Sequence, residues 1–287
     1  MTRPCPGPRA VTARPHWTPP PGGVDCHMHI FGPHDRYPLS PGRAYTPPEA
    51  SIAMYEEMLA TLGLSRTVVV QPSVYGTDNA VTLDAVEAMG QDRARAVVVV
   101  DDAVEPAALR AMHGRGARGV RFNAVSGNGT PLEQLEALVG KIAPLGWHLQ
   151  LYAHAAEILA LEDVLARLPV AVVIDHMGGI GTRNGGADSP AFAALIRLLE
   201  GGAWAKLCGY RSSAGHPYAD VAPMARAMIA AAPERCVWGT DWPHPSLFPP
   251  TGMPDDGHLL DLLADWAPDA AQRQAILVDN PARLYGF

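Results

Sequence analysis

The sequence predicts an α/β protein, a closed (β/α)8 barrel of parallel strands, and three observations carry that prediction. Short β-rich runs alternate with helical segments eight times between residues 23 and 287, with no linker between them. Parallel neighbours need crossover helices, and eight such units in 287 residues fit a closed barrel better than an open sheet. Polar side chains then recur at the C-terminal ends of seven of the eight runs, the rim where a barrel carries its chemistry.

Residues 1–22 hold Pro4, Pro6, Pro8, Pro15, Pro19, Pro20 and Pro21, and read as an extended arm lying across the outside of a single domain over 23–287. The first strand is expected over Gly23–Phe31, stopped by Gly32-Pro33, with Asp25, His27 and His29 on one face by the period of two. A helix over Ser51–Leu62 follows, its Tyr55, Met58, Leu59 and Leu62 at helical spacing and Gly63 at its end. Strands are expected at Arg66–Gln71, Ala94–Val100, Gly119–Asn123, Trp147–Tyr152, Val170–Asp175, Ala203–Cys208 and Arg235–Gly239. Valine runs in the second and third suit strands covered by helices. The intervening helices are expected at Ala80–Met89, Pro106–His113, Leu132–Leu145, Ala156–Arg167, Pro190–Glu200, Val221–Ala232 and Gly257–Ala264, with further ones near Asp269–Val278 and Pro281–Tyr285.

Composition removes several classes. Net charge is −7 and no run of five like charges occurs, which argues against a nucleic-acid partner. No stretch approaches 18 apolar residues, so no membrane span is expected. Cys5, Cys26, Cys208 and Cys236 lack CxxC spacing, and the proline-broken N-terminus has no apolar signal core. A reduced, cytoplasmic protein is expected. Oligomeric state stays open, a homo-oligomer included.

The rim residues are His27 and His29 (first strand), Ser73 (second), Arg121 and Asn123 (fourth), Tyr152 and His154 (fifth), His176 (sixth), Arg211 (seventh) and Asp241 (eighth). Two chemistries fit. In one, imidazoles and carboxylate bind a divalent ion such as Zn²⁺ that activates water. In the other no metal is needed: histidines donate hydrogen bonds to a carbonyl, and Asp241 acts as general base.

Asp25-Cys-His27-Met-His29-Ile-Phe-Gly-Pro, Gln71-Pro-Ser73, Gly119-Val-Arg121-Phe-Asn123, Asp175-His176-Met-Gly and Gly239-Thr-Asp241-Trp-Pro-His244-Pro resemble the amidohydrolase superfamily. More narrowly they resemble its 2-pyrone-4,6-dicarboxylate lactonase branch, with sugar-lactone lactonases and lactone isomerases. The resemblance spans nearly the whole chain. It implies a hydrolase opening a carboxylated lactone and, since several members of this branch work without a metal, no cofactor, with Zn²⁺ or another divalent metal as the alternative. By it, His27, His29 and His176 polarise the ring carbonyl and Asp241 activates water. Arg121, Arg211, Tyr45, Ser73 and Tyr152 line the pocket, with Asn123 and His154 beside them. Were a metal held, its ligands would be His27, His29, His176 and Asp241. A lactone isomerase or a zinc-dependent amidohydrolase or decarboxylase is the alternative activity. The two arginines suit a small anionic substrate. The resemblance implies a further arginine after the fourth strand, but Ala124–Thr130 holds no basic residue. A monoanionic or sugar-derived lactone therefore stays open.

His34, His216 and His244 are expected at the pocket wall or in solvent, and His16, His113 and His258 on the surface. Lys206 is expected in a buried ion pair, Trp242 packed under the site, and Cys26 and Cys208 buried without a nucleophilic role.

Overall fold

The computed structural model describes residues 2–248 and 252–287. Eight parallel strands run in sequence order around one sheet. They are β1 (Val24–Met28), β2 (Arg66–Val70), β3 (Ala94–Val98), β4 (Ala117–Asn123), β5 (His148–Tyr152), β6 (Val172–Ile174), β7 (Trp204–Leu207) and β8 (Cys236–Trp238). The covering helices are α1 (Ile52–Leu62), α2 (Ala80–Met89), α3 (Pro106–Gly114), α4 (Leu135–Ile142), α5 (Ala155–Leu165), α6 (Pro190–Glu200), α7 (Ala222–Ala231) and α8 (Asp256–Trp266). The chain finishes with α9 (Ala270–Gln274), a π turn over Ala275–Asp279 and α10 (Asn280–Tyr285).

Local chemistry explains the helix ends. Ser51 accepts from the Met54 N–H at the start of α1, and Gly63 takes φ 74° at its end. Ser189 caps α6 in the same way, with Pro190 as its first residue. The expected helix over Leu132–Leu145 is shorter: α4 is flanked by 3₁₀ turns at Leu132–Gln134 and Ala143–Leu145, the second containing Pro144. β4 and β5 end at Asn123 and Tyr152 as expected, whereas the other six strands end one or more residues early because ladder pairing stops where the chain turns to build the rim.

The barrel has two apolar layers. Outward strand residues such as Val69, Phe122, Leu149 and Leu151 pack under helix residues such as Leu59, Leu138, Ile158 and Leu263. Each fully buried side chain of this size contributes about 1.5–3 kcal/mol. Inside, Val24, Cys26, Val68, Val70, Val97 and Val237 surround Tyr285 of α10, which plugs the barrel floor. Gly119 leaves room there for the His148 ring, which would stand 2.4 Å from any Cβ at that position.

One expectation is corrected. Asp25 does not share a face with His27 and His29. The β1–β2 register shifts between Asp25 and Met28, a bulge that reverses the alternation. Asp25 therefore points out toward α1, where Tyr55 Oη lies 3.0 Å from Oδ2. Its carboxylate also accepts from Thr240 N (2.9 Å) and Thr240 Oγ1 (2.6 Å). Burial lifts this carboxyl to about 6 against those hydrogen bonds.

The barrel closes at a seam just beyond β8. Asp241 N donates to His27 O and His29 N donates to Trp242 O, both at 2.8 Å. Gly239 passes so close to β1 that a Cβ would lie 2.7 Å from His27 Cβ. The arm is bonded along the outside: Arg3–Pro4 pairs with Tyr45–Thr46, and Ala13, His16 and Trp17 bond Asp255, Asp261 and Leu260 of the α8 region. Among the described residues no helix is long and apolar enough to cross a membrane. All four cysteines are free and buried.

Candidate active site

The bulge in β1 turns both His27 and His29 into the barrel mouth, where their rings meet edge to face at 5.0 Å. His176 follows β6 in a left-handed turn, with φ 48° at His176 and 54° at Met177, and its ring lies 4.6 Å from that of His27. Asp241 also takes a left-handed backbone, φ 61°, which swings its carboxylate across the seam. The four side chains are buried.

The two carboxylate oxygens of Asp241 have different surroundings. Oδ2 accepts from the Tyr210 hydroxyl at 2.6 Å and from Arg211 Nε. Oδ1 lies 3.2 Å from His29 Nε2 and 3.6 Å from His27 Nε2. Burial alone would raise this carboxyl, but the Arg211 guanidinium and the imidazoles hold it well below the usual carboxylate range. Burial lowers all three histidines: His27, with Lys206 adding to it, well below the ordinary 6.5, His29 less far against the pull of Asp241, and His176 to about 3.

His29 Nδ1 lies 2.7 Å from the Val70 carbonyl, which can only accept, so that nitrogen carries a proton. The Nε2 lone pair of neutral His29 then faces Asp241 Oδ1, and a hydrogen bond between the two needs one shared proton. Ligand atoms of His27, His29 and Asp241 lie within 4.8 Å of one another, as do those of His27, Asp175 and His176, and of His176, Cys208 and Asp241. These are the groupings among the described residues that could hold a metal ion.

Around this centre a cavity of about 40 Å³ is lined by Tyr45, Ser73, Arg121, Asn123, Tyr152 and Arg211 among others. It adjoins a wider vestibule of about 710 Å³, which shares Tyr152 and Arg211 with it. Ser73 is held in place through Gln71, whose amide donates to Gly76 O and Asp78 O across the turn. Asn123 Oδ1 accepts from Val125 and Ser126 N–H and so shapes the following loop. Arg121 is 3% exposed, and its Nε donates to Asp175 Oδ2 at 3.2 Å, so it is an ion-pair partner as well as a wall of the cavity.

His154 lies apart from the other expected residues. The chain leaves β5 after Tyr152, and His154 becomes the exposed residue preceding α5. His244 is buried, with Nε2 3.1 Å from Asp256 Oδ1 and its ring edge-on to Tyr210. Three neighbours have no role in the sequence reading of the site: Tyr210, Gln150 and Lys206. The signal for the last two was parity, since Gln150 is in phase with Tyr152, and Lys206 with Cys208, on barrel strands.

A parallel (β/α)8 barrel whose mouth gathers imidazoles around one carboxylate is an enzyme that works at its C-terminal rim. The chain belongs to the amidohydrolase family, whose defining sequence pattern matches residues 24–287. It is similar to a 2-pyrone-4,6-dicarboxylate hydrolase of Comamonas testosteroni, 40% identical over 96% of this chain and 94% of that protein. A 4-sulfomuconolactone hydrolase of Hydrogenophaga intermedia is also 40% identical, over 98% and 94%. An apo crystal structure of an Agrobacterium tumefaciens protein superposes with a TM-score of 0.86 at 34% identity, covering 95% of this chain and 98% of that one.

Proposed function

We propose that this protein hydrolyses the ring ester of a small lactone bearing an anionic group, and that it does so without a bound metal. The observation that carries the reading is the division of labour on Asp241, with Oδ2 anchored and Oδ1 free toward the imidazoles. Two relatives at 40% identity are named for lactone-type substrates carrying carboxylates or a sulfo group. Arg121 and Arg211 at the cavity wall suit such an anion.

Water approaches the ring carbonyl from the side of Oδ1. Asp241 takes one of its protons while the water oxygen bonds to the carbonyl carbon. That proton rests between Oδ1 and the His29 Nε2 lone pair. His27 Nε2 and His176 face the oxygen on which negative charge develops. The ring C–O bond then breaks, the leaving oxygen takes the stored proton, and the new carboxylic acid releases the second water proton to solvent to leave an open-chain carboxylate.

Were a divalent ion held here, it would supply a Lewis acid for the carbonyl; the expected four ligands do not gather as one group, since His176 stands apart from the set of His27, His29 and Asp241 that would hold it. His29 is turned the way a ligand is, Nδ1 on a carbonyl and Nε2 forward. His27 is not: Lys206 Nζ stands 3.3 Å from its Nδ1. The three donors therefore do not fit a tightly held ion.

Turnover of an anionic lactone panel in ¹⁸O water is expected to place one solvent oxygen in each new carboxylate. Exhaustive chelation is expected to leave the rate unchanged. A product free of solvent oxygen identifies an isomerase, in which a substrate hydroxyl replaces water. Loss of activity on chelation with recovery on Zn²⁺ would refute the metal-free reading.

The pH profile gives a separate check. The imidazoles stay neutral and Asp241 stays ionised through the near-neutral range, because the shifts lie on the acid side for all of them. kcat/KM is expected to be flat between about pH 7 and 8, above the range in which the Asp25 carboxyl titrates. An acid limb centred on the ordinary imidazole value of 6.5 would show that a site histidine must first lose a proton.

A further inference from the structure

Below the rim, the barrel interior holds a charged group that the ring-opening reading leaves idle. Lys206 of β7 is 0% exposed. Its Nζ lies 2.7 Å from Gln150 Oε1, 3.3 Å from His27 Nδ1 and 3.4 Å from Asp175 Oδ1. The Gln150 amide is oriented independently, since its Nε2 donates to Asp175 Oδ2 at 2.9 Å and its oxygen must then face the lysine. Arg121 Nε completes the set on Oδ2 at 3.2 Å.

A lysine ammonium has three N–H donors and no lone pair. Here it faces three candidates, one for each donor: Gln150 Oε1 in a hydrogen bond, Asp175 Oδ1 as an ion-pair contact, and His27 Nδ1. The third acceptor exists only if His27 Nδ1 carries a lone pair. The opposite arrangement puts the proton on Nδ1 and gives it to Asp175 Oδ1, 3.4 Å away. It would leave a buried ammonium N–H pointing at another N–H, with no acceptor for it.

We propose that Lys206 is a positioning residue that holds His27 with its proton on Nε2, making His27 a hydrogen-bond donor into the cavity rather than a ligand for a cation. Among the described residues His27 Nε2 makes no hydrogen bond, with Asp241 Oδ1 3.6 Å away, as expected of a donor kept for an oxygen that arrives with the substrate. His29 is set the other way by the Val70 carbonyl. One His-x-His unit thus presents two opposite tautomers to the same space: a donor at His27, and at His29 an acceptor for the proton that Asp241 collects. The tautomer stands on the Lys206 contacts to His27 Nδ1, Gln150 Oε1 and Asp175 Oδ1, and only its kinetic consequence rests on the lactone reading.

The test uses the full-length protein labelled with ¹⁵N-histidine, with His27 assigned through its backbone. Long-range ¹H–¹⁵N correlation at neutral pH is expected to show a pyridine-type Nδ1 and a pyrrole-type Nε2 for His27, and a pyrrole-type Nδ1 for His29. A pyrrole-type Nδ1 at His27 overturns the proposal, and this measurement needs no variant to fold. Lys206→Met is expected to move the His27 proton to Nδ1 and to lower kcat about 100-fold with little change in KM. Lys206→Arg, which keeps a donor, is expected to restore the tautomer and part of kcat. A Lys206→Met protein that folds, keeps Nε2 protonated and turns over normally also overturns it. If the wild-type protein opens no lactone, the ring-opening reading fails while the tautomer result stands.

Discussion

Asp241→Asn is expected to lower kcat by about 10³-fold or more, because the amide cannot take a proton from water. The substitution keeps an oxygen for the Tyr210 hydroxyl, so the local hydrogen bonding is only partly lost. It removes the charge opposite Arg211. Because the folded carboxyl lies below its unfolded value, the ionised form stabilises the fold. That stabilisation is present above about pH 3.9 and is lost as pH falls through the folded value. The variant is thus less stable near neutrality, and circular dichroism with a Tm should accompany every rate. Rapid-quench kinetics with a lactone that the wild type opens would read the chemical step. Near-normal turnover by a folded Asp241→Asn protein would remove this residue from the mechanism.

Gly239→Ala is expected to destabilise the barrel by about 2–3 kcal/mol, since the new methyl would press on the β1 backbone where neither strand can yield. A Cβ there lies 2.7 Å from His27 Cβ and 2.8 Å from His27 N. In a chain of this length that corresponds to a Tm lower by roughly 5–10 °C. Activity should fall as well, because His27 must shift. Gly140→Ala provides the control. Its added methyl meets nothing within 4 Å, and Gly140 sits inside α4, so stability is expected to hold or rise by about 0.5–1 kcal/mol. Equal Tm values for Gly239→Ala and wild type would show that the seam tolerates opening.

The fold was legible because both of its periods are written into the chain. Valine runs bounded by turn residues announce buried parallel strands, and helical spacing with Ser51 or Ser189 at the start announces the cover. The rim residues were legible for the same reason: a strand end in a barrel has only one place to go. What the sequence hid is whatever depends on distance between elements. Strict alternation put Asp25 with the histidines, whereas a one-residue bulge sends it to Tyr55 and Thr240. His154 is in phase with Tyr152, yet the strand is over before it is reached. Arg211 reads as a free anion binder, but its Nε donates to Asp241, a contact made between β7 and β8 loops 30 residues apart. Lys206 and Gln150 were in the correct phase, but only the β5–β7 geometry brings their heads together.

The closing seam has a consequence for how this enzyme loses function. His27 and Asp241 are joined across it by one backbone hydrogen bond, and His29 by another. Candidate site residues from the first and last strands therefore face each other only in molecules whose ring of strands is complete. A barrel parted at this joint would lose both backbone bonds and with them the assembled centre. On the proposed mechanism turnover would count closed molecules, and heat or denaturant is expected to silence it before the bulk of the structure is gone.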